Sequence, residues 1–174
     1  SPVKAVRHAN GRDWWIYMLL RGSNQYQLIL LDPSGINFMG LLDSGINMPQ
    51  ALGLATISPS GKYMAVGVAV LNSNDQHVFI YEIDRCSGSL AFRDSFSLVT
   101  QLWPGFGFSS NEKYLYTSSE SRYLWQFDIE ASDIGASRVL VGEYDGFVHG
   151  SNSPTTFGPI MQTPDGRLYV VPTT

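Results

Sequence analysis

One turn, repeated in altered form, most constrains what this chain can fold into. Ile57-Ser58-Pro59-Ser60-Gly61-Lys62-Tyr63-Met64-Ala65-Val66 joins two apolar runs through a short Pro/Gly turn. Related turns stand at Asn10-Gly11-Arg12, Ser110-Asn111-Glu112 and Pro164-Asp165-Gly166. Proline pre-sets one backbone angle of such a turn, and glycine supplies the positive φ that other residues avoid. Aligning Asn10, Ser60, Asn111 and Asp165 gives spacings of 50, 51 and 54 residues. That spacing suits repeats of four strands each and is longer than solenoid repeats.

The runs between the turns read as strands. Residues 13–20, 25–31 and 36–42 follow the first turn, and 51–57, 62–70, 77–83 and 91–99 form a second group. Residues 113–118, 122–129 and 137–142 belong to a third group, and 156–163 and 167–171 begin a fourth. No segment of ten or more residues keeps the apolar spacing of a helix without Gly or Pro. Runs such as Leu28-Ile29-Leu30-Leu31 and Val78-Phe79-Ile80-Tyr81 are apolar on both strand faces, as expected of sheets covered on both sides. Gly53-Leu54-Ala55-Thr56 and Gly105-Phe106-Gly107 are rich in small residues and suit innermost strands crowded about an axis.

These features predict an all-β chain, a β-propeller of about three and a half four-stranded antiparallel blades. The expected blades cover 2–46, 50–100 and 104–146, with a half blade over 155–172, so that 1–174 forms one partial propeller. A closed ring takes about four to eight blades. The chain is therefore expected to be open or part of a larger ring. Apolar blade faces left at its ends would permit self-association.

Composition agrees with this reading and excludes several function classes. Hydrophobic residues make up 44% and aromatics 13%, against only 15% charged, which favours a packed core over disorder. The net charge of -4 comes with scattered Lys and Arg, so no basic stripe exists for nucleic acid. No run approaches the roughly 18 apolar residues of a membrane-spanning helix, and no membrane insertion is expected. The single cysteine, Cys86, reads as a turn residue in Asp84-Arg85-Cys86-Ser87-Gly88.

Ser58-Pro59-Ser60-Gly61-Lys62-Tyr63 and Thr163-Pro164-Asp165-Gly166-Arg167-Leu168-Tyr169-Val170 resemble the S-P-D-G-x-x-L/Y-Y-V turn of TolB-like and YVTN-like propeller repeats. Val6-Arg7-His8-Ala9-Asn10-Gly11-Arg12-Asp13-Trp14-Trp15 is similar to a K/R-H-A-N-x-R-D-W-W segment. That segment occurs in propeller regions of large secreted bacterial proteins with gliding-motility-type (type IX secretion) C-terminal sorting domains. Leu124-Trp125-Gln126-Phe127-Asp128 resembles their L-Y-Q-F-D strand, and the stretch from Phe157 to Gly166 their G-x-x-Q-x-x-P-D-G strand and turn. The resemblance implies a secreted or cell-surface propeller, and the localisation rests on it alone. The third turn, Ser110-Asn111-Glu112-Lys113, departs from the P-D-G pattern.

Propeller geometry puts the loops between blades, and those between second and third strands, on one face, where ligands usually bind. The candidate ligand-binding residues there are Trp103, Arg122, Asp145, Phe147, His149 and Asn152. Tyr144 to Ser153 offers rings for stacking and amides for hydrogen bonds, although a long inter-blade connection accounts for the same residues. Trp103 could stack on a sugar or peptide, or simply pack between blades. Asp43 and Asp145 close the last strands of their blades and could face the channel. The three histidines sit at non-equivalent places without ligand spacing, so no metal and no cofactor is expected. Neither a G-x-S-x-G elbow nor a carboxylate pair singles out catalytic residues, and none is assigned. The function expected is a non-catalytic binding or scaffolding propeller whose partner is a protein or glycan. The alternative is a propeller enzyme, lactonase-like or peptidase-associated, with its site at the channel mouth.

Overall fold

The computed structural model describes residues 3–20, 23–45, 53–69, 75–99, 105–119, 122–150, 153–163 and 165–173. Three four-stranded antiparallel sheets follow one another along the chain. The first holds β1 (Val3–Arg7), β2 (Trp14–Leu19), β3 (Gln25–Asp32) and β4 (Gly35–Asp43). The second holds β5 (Gly53–Ile57), β6 (Tyr63–Ala69), β7 (Asp75–Ile83) and β8 (Leu90–Val99). The third holds β9 (Phe106–Phe108), β10 (Tyr114–Ser119), β11 (Tyr123–Asp128) and β12 (Val139–Glu143). A small hairpin of β13 (Val148–His149) and β14 (Ser153–Pro154) precedes the two-stranded sheet of β15 (Thr156–Gln162) and β16 (Leu168–Thr173).

Strands pair in chain order within each sheet, and the first strands β1, β5, β9 and β15 stand side by side. This is an arc of a β-propeller, three full blades and the inner half of a fourth, with the first strands lining the axis. The polar stretch 130–138 contributes only a short 3-10 turn at Gly135–Ser137.

The repeated turn holds the same geometry four times. A backbone bond of 2.8–2.9 Å closes each: Gly11 to His8, Gly61 to Ser58, Glu112 to Ser109 and Gly166 to Thr163. The donor has positive φ each time, at 74°, 79°, 61° and 80°. Glu112 therefore occupies a glycine position, and its carboxylate reaches Ser60 of the preceding turn, accepting from the Ser60 amide and, at 2.7 Å, from its hydroxyl. The departure from P-D-G in the third turn thus coincides with a link between blades.

The fourth turn differs in length. The hairpin closes from His8 N to Asp13 O, Ser58 N to Tyr63 O and Ser109 N to Tyr114 O, but from Thr163 N to Arg167 O, one residue sooner. Because side chains alternate along a strand, one residue decides which face each presents. Met64 and Leu115 point at the preceding blade, and their counterpart is Leu168, close to Gly107 of the third blade. Aligned through the turn at constant length, Tyr169 would have taken that place. Instead it is half exposed on the far side.

Blade-to-blade packing makes the core. Trp15, Tyr17, Leu19, Tyr26 and Leu28 of the first blade meet Met64, Val66, Val68, Phe79 and Tyr81 of the second. Tyr63, Ala65, Val78 and Ile80, on the second blade's other face, meet Phe106, Phe108, Leu115 and Phe127. Val78 to Tyr81 are all buried because both faces of β7 are covered. In the first blade only one face is covered, and Ile36 (76% exposed), Phe38 and Leu41 remain in the open.

Polar groups lock the turns on the face bearing the repeated motif. The Trp15 indole donates to Arg85 O at 2.9 Å, and the Tyr17 hydroxyl donates to Gly88 O at 3.0 Å. Arg85 donates in turn to Arg7 O at 2.8 Å and Ser60 O at 2.9 Å. Asp13 is buried and accepts from Asn10 at 2.6 Å and Arg12 at 2.7 Å. These two donors hold its carboxyl below the usual carboxylate range. Cys86 is an exposed turn residue whose amide donates to Asp84 at 2.9 Å.

Two outcomes follow. A Cβ at Gly67 would lie 2.5 Å from the Phe106 ring and 2.6 Å from the Gln76 amide. Gly67→Ala should lower stability by about 1–3 kcal/mol in denaturant titration, while exposed Ile36→Ala should change it by less than about 0.5 kcal/mol. The stabilisation of ionised Asp13 is complete above its ordinary pKa of 3.8 and is lost as pH falls through its lower folded value. Acid titration should therefore show a loss of stability below that pH which is smaller in Asp13→Asn.

Candidate functional site

The face opposite the repeated turns carries the described candidate residues, Arg122, Asp145, Phe147 and His149. Trp103 and Asn152 lie outside the described residues, as do Arg21 and most of the connections after β4, β6 and β8. The connection from β12 to β15 is described apart from residues 151 and 152. It leaves the outermost strand of the third blade, and Tyr144 N donates to Arg122 O at 2.7 Å. Arg122 belongs to the turn between β10 and β11, where its amide donates to Ser119 O at 3.1 Å. Asp145 accepts from Phe147 N at 2.9 Å, and positive φ at Gly146 lets the chain reverse within that short loop. Phe147 O then accepts both the Tyr144 hydroxyl at 2.6 Å and Thr155 N at 3.0 Å.

Beyond this point the chain forms a hairpin that the sequence reading took as loop. Val148 pairs with Pro154 and His149 with Ser153. At its base a notch of about 280 Å³ is lined by Glu143, Tyr144, Asp145, Phe147, Thr155 and Phe157. Phe147 is 59% exposed, and the Phe157 ring backs onto Gly142 of β12. Thr155 Oγ1 is buried there without a hydrogen-bond partner.

The structure brings Asp145 and Phe147 together at this notch and braces it through the Arg122 backbone. His149 lies further out, exposed on β13 and outside the notch lining. Glu143, Thr155 and Phe157 were missed because they fall at strand ends. The aromatic residues on both sides of the Gly-rich stretch, Tyr144, Phe147 and Phe157, were the signal that could have found them.

The channel wall is a second concave surface, about 460 Å³, shared by all four first strands. Lys4, Thr56, Phe106 and Gln162 contribute to it beside alanine, leucine, isoleucine and glycine, and its lining includes no carboxylate or histidine. Asp43 does not face the channel: it ends the outermost strand β4 and accepts from Asn24 at 3.1 Å and Gly45 N at 2.9 Å. His8 packs on Trp15, and His77 lies beside the Ser97 hydroxyl, 3.1 Å away. Among the described residues no three acidic, histidine or cysteine side chains gather as metal ligands would.

No protein-family model matches the sequence, and no curated protein does. Solved structures do resemble the chain. The β-propeller domain of Vanderwaltozyma polyspora Nup133 matches with a TM-score of 0.56 at 10% identity, covering 98% of this chain and 52% of that one. The periplasmic gluconolactonase PpgL of Pseudomonas aeruginosa matches at 0.56 with 19% identity, over 80% and 40% of the two chains. Kuenenia stuttgartiensis hydrazine synthase matches at 0.57 with 13% identity, over 94% and 47%. What these likenesses show is the fold. The chain spans about half or less of each of these structures.

The notch depends on the Tyr144 hydroxyl for its shape. Tyr144→Phe should raise amide hydrogen exchange at Phe147 and Thr155 while leaving the global unfolding midpoint within about 0.5 kcal/mol of the parent, as expected of an exposed local contact.

Proposed function

We propose that this arc belongs to a non-catalytic binding or scaffolding propeller, presenting its rim connections to a protein or glycan at the cell surface or outside the cell. The observation that carries the reading is the distribution of chemistry. Rings and carboxylates meet in the notch around Phe147, whereas the channel wall is lined mainly by apolar residues, joined by Lys4, Thr56 and Gln162 and by no carboxylate. Catalysis by general acid and base needs a titratable pair within hydrogen-bond reach of the reacting atoms, and this part of the wall supplies only Lys4. The secreted location is supported by the motif resemblance. The open outer face of the first blade is a surface on which further blades, or a second copy, would pack as the internal blades do.

A second reading is favoured by one observation. Among the similar structures one is named a gluconolactonase and two are named 6-phosphogluconolactonases, and Lys4 gives the channel wall a cation suited to an anionic sugar acid. Glycan and peptide arrays, run beside hydrolysis of gluconolactone, separate the two. The binding reading expects an array ligand whose capture falls with Phe147→Ala and no lactone turnover above background. Turnover abolished by Lys4→Ala, with no array ligand, would replace it with the enzyme reading.

A further inference from the structure

Resting on the binding reading, we infer that the rim notch takes an alkylammonium group, the head of a lysine side chain presented by a partner protein. Three rings, Tyr144, Phe147 and Phe157, line a space of about 280 Å³, and Glu143 and Asp145 line it with them. Ring faces carry negative quadrupole charge and attract cations, and the attraction grows when water is partly excluded. Carboxylates beside the rings add Coulomb attraction and would repel an anionic ligand. A primary ammonium is a compact point charge on a flexible methylene stem, which lets it reach between the rings and the carboxylates.

The same pairing already occurs within this chain. Arg138 sits 4.5 Å from the centre of the Trp125 ring, Lys62 4.7 Å from Tyr63 and Lys113 5.5 Å from Tyr114. The notch differs in having rings and carboxylates but no basic residue in its lining.

The test is an amide-detected NMR titration of the purified chain with Nα-acetyl-lysine methylamide, its Nε-trimethyl form and its neutral Nε-acetyl form. The inference expects saturable shifts at Tyr144, Phe147 and Thr155 from both cationic probes and none from the neutral one. Phe147→Ala should weaken binding about two- to fivefold, the range of an exposed cation–ring contact. Asp145→Asn keeps the acceptor for Phe147 N, and Glu143→Gln keeps the side-chain shape. Each should weaken binding about one-and-a-half- to fivefold and reduce its salt dependence. Equal shifts from the neutral probe, or none from any, would overturn the inference. If these probes fail while an array ligand still depends on Phe147, the binding reading stands and only the cation chemistry falls.

Discussion

The constraint on which this arc depends is that each blade buries its apolar faces against its neighbours, and strand register decides which side chains do the covering. A single sheet four strands wide cannot bury a core by itself. In the second blade, β7 is buried at four consecutive positions because neighbours stand on both sides, and Met64 and Ala65 serve opposite interfaces from adjacent positions. A slip of one residue in any inner hairpin would exchange those faces. The short fourth turn makes the point within one molecule. Closing one residue early turns Leu168 toward the third blade and sends Tyr169 outward.

The turns that set the register are themselves joined from blade to blade. Arg85, in the turn between β7 and β8, donates to carbonyls of both the first and second blades, while its own carbonyl accepts the Trp15 indole. Glu112 carries the linkage to the third blade by gripping Ser60. Each contact is worth little alone, but together they fix one end of the wedge. At the other end of the wedge the Ser119 hydroxyl donates to Val99 O of the second blade and the Ser118 hydroxyl to Gly158 O of the fourth at 3.0 Å, so the described residues tie the blades there as well.

Much of this was legible in the sequence because turn chemistry and strand alternation are local. Pro59, Gly61 and Gly166 announce their turns, and Val78-Phe79-Ile80-Tyr81 announces a strand covered on both sides. The equally apolar Leu28-Ile29-Leu30-Leu31 reads the same way, yet Leu31 is exposed, because cover depends on a neighbour that the local sequence does not specify. The shortened fourth turn was hidden by its Pro-Asp-Gly, which aligns with Pro-Ser-Gly and masks the missing residue after it. The hairpin at Val148 was hidden because strands of two residues have no periodicity to detect. Of the candidate binding residues, Asp145 and Phe147 share a notch, Arg122 supports it through its backbone and His149 stands apart.

The same packing restricts which side chains the axis can accept. A Cβ at Gly105 would lie 2.2 Å from the backbone of Ile160, and one at Gly107 would lie 2.8 Å from the Ile160 side chain. These two positions are therefore held to glycine by the neighbouring blade, and a side chain at either would push the blades apart. The connection from β12 to β15 bears no such load. Its internal bonds, from Tyr144 and Thr155 to the Phe147 carbonyl and from the Phe147 amide to Asp145, shape the notch without help from the core. Changing Phe147 or Glu143 alters an exposed surface and leaves the cores between the first three blades intact. A chain whose interior is committed to stacking blades is thus freest to change its surface where the strands have ended.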